Sequence, residues 1–191
     1  MKYITIQSDT DLSNPFIEGF VKVGNNIELV ADELGLNVSG LLTPYGIKCT
    51  MVGETPFFKN FEMSIRRKIE NVSTNVIPTK SPYSTILTLE SEIPSTDVKT
   101  RFKIVKKGVF GKLRSTLSGL KEHQTSDNLV MYSKNSINKK ISSSDLEALE
   151  KLDWLNFQQG QLKLKSLDVP KDKSKFLSWL NSVEFLIKNS R

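Results

Sequence analysis

The feature that most constrains this chain is the spacing of its apolar side chains beyond Pro170. Phe176, Trp179, Leu180, Val183, Leu186 and Ile187 fall at i, i+3, i+4, i+7, i+10 and i+11, with Lys173, Lys175, Asn181 and Lys188 between them. That period predicts an amphipathic helix lying on something apolar. Each large side chain buried there contributes about 1.5–3 kcal/mol. The nearest apolar surface in sequence is a predicted hairpin. Leu155 and Phe157 alternate, Gln159-Gly160 turns, and Leu162 and Leu164 alternate again. Gly160 supplies the positive φ that a tight turn needs.

The pattern extends backwards. Asn128–Ser133 is a short apolar run and predicts a strand buried on both faces. After a basic connection over 134–140, Ser143 or Ser144 N-caps a helix, with Asp145 and Glu147 in its first turn. Leu146, Leu149 and Leu152 form its stripe. Together these elements predict a C-terminal βαββα unit with both helices on one sheet face.

The first half is richer in turns. Lys2–Gln7 alternates as a strand, and Asp9-Thr10-Asp11 follows as a polar turn. Pro15–Val23 reads as a further strand or a docking segment. Ile27, Val30, Ala31 and Leu34 predict a helix capped by Asn25 or Asn26 and ended by Gly35 in left-handed geometry. Leu36–Gly53 reads as loops with a short strand at Ile47–Val52, and Phe57 and Phe58 as a core anchor. Phe61–Ile69 fits both a strand and a helix face, and strand is preferred. Tyr83–Glu92 and Asp97–Lys106 are strands around Ile93-Pro94-Ser95-Thr96. In the second, Val98, Thr100, Phe102 and Ile104 oppose Lys99, Arg101 and Lys103, the alternation of a half-exposed antiparallel strand.

The expected fold is α+β, an antiparallel sheet with helices mainly on one face. It is expected as a single domain over 1–191, with an optional division between a turn-rich 1–80 and a more regular 81–191. No apolar run approaches the ~20 residues of a membrane span. The N-terminal residues lack the core of a signal peptide. Asn37-Val38-Ser39 and Asn71-Val72-Ser73 therefore read as chance glycosylation matches. The one cysteine, Cys49, excludes an internal disulfide and fits a reducing compartment, so a bacterial cytoplasmic protein is expected.

Charge is uneven. Between Asp97 and Lys140, eleven Lys and Arg meet three acids, a net +8 in a chain whose total is +6. This field suits nucleic acid, an anionic surface or an acidic protein. Equally, a half-exposed strand carries lysines on its wet side for solubility and to discourage edge pairing. The second reading is preferred, because the segment lacks the interleaved exposed aromatics of a single-strand binder.

Catalytic signatures are missing. Gly108-Val109-Phe110-Gly111-Lys112 has two residues between its glycines where a P-loop needs four. Its centre is too apolar for a nucleic-acid backbone clamp, and it reads as a turn into a helix over Lys112–Leu120. His123 is the only histidine and sits in KEHQTSD, read as a surface loop. With Cys49 it is too little for an ordinary zinc site. Cys49 alternates with apolar neighbours and reads as an inert buried thiol. Asp32/Glu33 and Asp145/Glu147 are explained by helix ends. No metal or cofactor is expected.

The order of elements resembles that of uncharacterised bacterial α+β domains of unknown function. The matching residues are Ile86–Glu90, Phe102–Lys106, Leu113–Leu120, Thr125-Ser126-Asp127, Leu129–Tyr132, Leu146–Leu152, Gly160-Gln161-Leu162 and Phe176–Ile187, with Glu33-Leu34-Gly35-Leu36 as an early element. The resemblance implies the architecture and no catalytic residues. The preferred function is a non-enzymatic binding or accessory module with a protein partner, its oligomeric state open. The alternative is nucleic-acid or anionic-surface binding through Lys99, Arg101, Lys103, Lys106, Lys107, Lys112 and Arg114. A hydrolase whose acids meet only in the fold is the third class.

Overall fold

The computed structural model describes residues 2–7, 15–69, 83–94, 101–108, 119–133, 141–149, 151–170 and 172–190. Ten strands form one sheet: β1 (Lys2–Ile6), β2 (Asn37–Thr43), β3 (Gly46–Gly53), β4 (Lys59–Ile69), β5 (Tyr83–Glu92), β6 (Arg101–Lys106), β7 (Lys121–Thr125), β8 (Leu129–Ser133), β9 (Leu152–Gln158) and β10 (Gln161–Ser166). Among the described residues there are three helices, α1 (Pro15–Leu34), α2 (Ser143–Glu147) and α3 (Lys173–Asn189). The chain is thus mixed helix and strand, dominated by a single sheet.

The strand order is β1-β2-β3-β4-β5-β10-β9-β6-β8-β7. Every pairing is antiparallel except that of β1 with β2, which is parallel and returns through α1. The expected antiparallel sheet thus carries one parallel pair at this edge, because a helix-length crossover lets the two strands run in the same direction. The β9–β10 hairpin lies between β5 and β6, pairing with both. β4 and β5 pair with each other across the 80/81 division.

Several predicted elements are found as read. All six stripe residues of α3 are buried. Asp172 caps that helix, accepting from the Lys175 N–H at 2.8 Å, so it starts three residues after Pro170. Gln159 and Gly160 make the β9–β10 turn with φ of 53° and 76°, the signs of a type I′ turn. All five residues of β8 are buried. β4 is a strand with Phe61, Met63 and Ile65 buried, and Phe58 is buried beside it.

Other elements differ. Pro15–Val23 is the first half of α1, neither strand nor docking segment, and Asn25 and Asn26 lie inside the helix. Ile17 and Phe20 precede Ile27, Val30 and Ala31 on one buried stripe, which was hidden by glycines at 19 and 24. Gly24 permits close approach to the sheet, since a Cβ there would stand 3.1 Å from Ile47 Cδ1. Gly35, with φ of 67°, closes the helix as read. Its N–H donates to the Asp32 carbonyl, and Leu36 N–H donates to that of Ala31 at 2.8 Å, the Schellman pattern.

Leu36–Gly53 is a hairpin of two strands, with Pro44-Tyr45 at its turn. The cap of α2 is Ser142, whose N–H donates to the Asp145 carboxylate at 2.7 Å. His123 lies on the edge strand β7, where the register with β8 shifts, and is exposed; backbone pairing makes this polar segment a strand. The turn at Asp9–Asp11, the glycosylation match at Asn71 and all but the last residues of the Lys112–Leu120 helix lie outside the described residues.

One large core joins Ile17, Phe20, Ile27 and Val30 of α1, the six residues of α3, and alternate side chains of strands β2 to β6 and β8 to β10. A second, small cluster of Leu120, Val130 and Tyr132, with Val105 against it, sits on the other side of β6 and β8. Val130 and Tyr132 alternate with Leu129 and Met131, which belong to the large core. That explains why β8 is buried on both faces.

Candidate binding surface

Alternation along each strand divides the sheet into a face that builds the large core and a face turned away from it. Registers align the outward residues in rows. One runs Leu41–Lys48–Arg66–Ile86 across β2 to β5. Another runs Glu62–Glu90–Lys163–Asn156–Lys103–Tyr132 across β4, β5, β10, β9, β6 and β8. Large apolar side chains stand exposed on this face: Leu41 (45%), Val52 (42%), Ile86 (43%) and Trp154 (37%).

The predicted basic residues do not form one surface. Arg101 and Lys103 point to the outward face but are half-buried, for β6 is an interior strand between β9 and β8. Edge protection therefore does not explain their charge. Their neighbours across the strands are Gln158, Asn156 and Tyr132. Arg101 Nε and Asn156 Oδ1 are buried without a hydrogen-bond partner among the described residues. Lys106 and Lys107 are exposed at the far end of β6 and line a cleft of about 860 Å³ with Asp127, Glu147 and Lys151. Two acids offset the cations there, and Lys151 is held by Asp168 at 2.7 Å. Lys99, Lys112 and Arg114 lie outside the described residues.

Cys49 is buried on the core side of β3, as read. Burial first, and the Glu28 carboxylate second, push its thiol up to about 12. A thiol held protonated in this way is a poor nucleophile at neutral pH. Among the described residues no group of three or more His, Cys, Asp or Glu is placed to hold a metal ion, and no helix is long and apolar enough to cross a membrane.

The cations that do stand together are ones the sequence reading passed over. Lys48 of β3 is the direct cross-strand partner of Arg66 on β4, and Lys68 follows two residues along; all three are exposed. They line a shallow concavity of about 670 Å³ with no acid among its described lining residues. On β10 of this face, by contrast, the cations are paired, Lys163 at 2.7 Å from Glu90 and Lys165 at 3.2 Å from Asp153. The run Arg66-Arg67-Lys68 was the available signal. It was diluted because residues outside 97–140 sum to −2.

No protein-family model matches the chain, and no curated protein matches it in sequence.

Proposed function

We propose that this chain is a non-enzymatic binding or accessory module of the bacterial cytosol. On this reading a protein partner docks on the outward sheet face, while the helices lie mainly on the other, the closing β8-α2-β9-β10-α3 run acting as the unit that holds them. The observation that carries it is the exposure of Leu41, Val52, Ile86 and Trp154 on that one face, among polar and charged neighbours. Interfaces of partners that come and go have such a mixed character. Membership of α1 and α3 in a single core supports the placement of the helices, and a lone buried thiol suits a reducing compartment.

The test is a photo-crosslinking residue placed at Val52 or at Trp154 in producing cells, with Leu29, exposed on α1, as the control position. A shared adduct of discrete mass at the two sheet positions, absent at Leu29, supports the reading. Equal labelling at all three, or none at the sheet positions, removes it.

A further inference from the structure

The unmatched cations at the β2–β4 end of the sheet have a cost that the fold does not offset. Lys48 and Arg66 face each other directly across two strands, a like-charge pair that weakens a sheet. Strand spacing puts their stems about 5 Å apart, and Arg66 and Lys68, two residues apart on one side of β4, are about 7 Å apart. None of the three makes an ion pair with a described residue. Where Glu62 faces Glu90 on the same face, by contrast, Lys163 lies 2.7 Å from Glu90. The molecule neutralises one like-charge pair and leaves the other open.

Three further features narrow the ligand. Tyr45, at the β2–β3 turn, is 78% exposed beside the cations. Its backbone is fixed, with its carbonyl accepting from the Ile69 N–H at 3.1 Å. Arg66 offers a planar guanidinium, which stacks on rings as well as pairing with phosphate. The site is a shallow concavity also lined by Ser39, Leu41, Thr43 and Thr50, whereas insertion into a bilayer calls for a protruding apolar element. Cations tracking a backbone beside an exposed ring are the elements of single-strand recognition.

We propose that Lys48, Arg66 and Lys68, with Tyr45 as a stacking platform, form a binding site for single-stranded nucleic acid. The site shares the outward face with the protein-partner reading, since Leu41 lines the concavity and Ile86 faces Arg66, but it uses neither Val52 nor Trp154, the positions that test that reading.

The experiment is fluorescence anisotropy of labelled oligo-dT and oligo-U with the full chain at low and at physiological salt. Binding should weaken with salt with a logarithmic slope of about −2, the value for three phosphate contacts on a single strand. The triple variant Lys48→Glu, Arg66→Glu, Lys68→Glu should lose binding. Tyr45→Ala, an exposed turn change that leaves the sheet intact, should weaken it roughly 5- to 150-fold, the range for loss of one stacked base. Lys106→Glu with Lys107→Glu should leave it unchanged. The proposal is overturned by absence of binding at low salt, or by binding that survives in the triple variant or is lost with Lys106 and Lys107. It is also overturned if poly-glutamate displaces the oligonucleotide at equal charge concentration, which would make the ligand an acidic chain. Preference for phosphatidylglycerol vesicles over either oligonucleotide would overturn it in favour of a membrane surface.

Discussion

On β4, Arg66 and Lys68 stand exposed beside Lys48 and meet no acid among the described residues; on β6, Arg101 and Lys103 are half-buried between two neighbouring strands. By sequence β6 has the stronger claim to a binding role, since it belongs to the more basic segment. The difference lies in what covers the outward side. At β6, Val105 packs against a second cluster of Leu120, Val130 and Tyr132, and Lys103 faces Tyr132 across the strands. At β4 Arg66 lies between Lys48 and the exposed Ile86, and Lys68 faces Gly46 and Ser84, and both cations stay exposed. The density of cations along a chain thus says little about the field they present.

The comparison is broken most severely from the core side of β6. Phe102 is fully buried with its ring 5.3 Å from that of Phe157, so Phe102→Ala should cost about 3–5 kcal/mol in urea unfolding. A cost below about 1 kcal/mol would mean that β6 is not built into the core as described.

Cys49, on the back of the β3 cation Lys48, gives the second test. Its folded thiol is raised from the ordinary 9.0 to about 12, so its contribution is fully present below about pH 9 and is lost as pH rises towards 12. The unfolded chain releases this proton first, so stability should fall over that window. Cys49→Ala, though less stable at neutral pH, should show a shallower fall in unfolding experiments at stepped pH. Equal slopes would sink the assignment.

A smaller effect has the opposite sign. Arg66→Glu puts an acid opposite Lys48 and should stabilise the sheet by about 0.2–1 kcal/mol at low salt, with the gain fading as salt is added. Lys103→Glu on half-buried β6, facing Asn156 and Tyr132, should not gain. Equal responses at the two positions would erase the distinction between the strands.

The smallest concerns Glu33, whose carboxyl is held below its ordinary value by its hydrogen bond to Lys173 at 2.8 Å and by that ammonium's charge. In Lys173→Gln, an NMR titration should move the Glu33 midpoint upward, with little change in thermal stability. Because the folded value is depressed, the contribution is present above pH 4.5 and is lost as pH falls.

Much of the fold was legible where one period ran without interruption. The stripe of α3 and the alternation of Leu155, Phe157, Leu162 and Leu164 each admit one secondary structure. Legibility failed where glycine broke the pattern. Gly19 and Gly24 concealed the first half of α1, and Gly40 divided Val38 from Leu42 so that β2 read as loop. At β7, KEHQT holds no apolar side chain, and only its pairing with β8 makes it a strand. The charged site failed for a different reason. Lys48 and Arg66 are far apart in sequence and meet only through the β3–β4 register, which no scan along the chain can supply.

The position of the β9–β10 hairpin has a consequence for how the molecule comes together. β5 and β6 follow each other in sequence yet never pair; the hairpin stands between them and bonds to both. Without the hairpin, β1–β5 and β6–β8 would be two partial sheets, each with an open row of backbone donors and acceptors at its inner edge. The hairpin acts as a keystone, the last two strands in sequence, joining residues far apart in the chain, such as Lys163 to Glu90, 73 residues away. Such long-range closure is slow. A chain halted before Leu152 would carry two bare inner edges, the kind of template on which unfinished sheets aggregate.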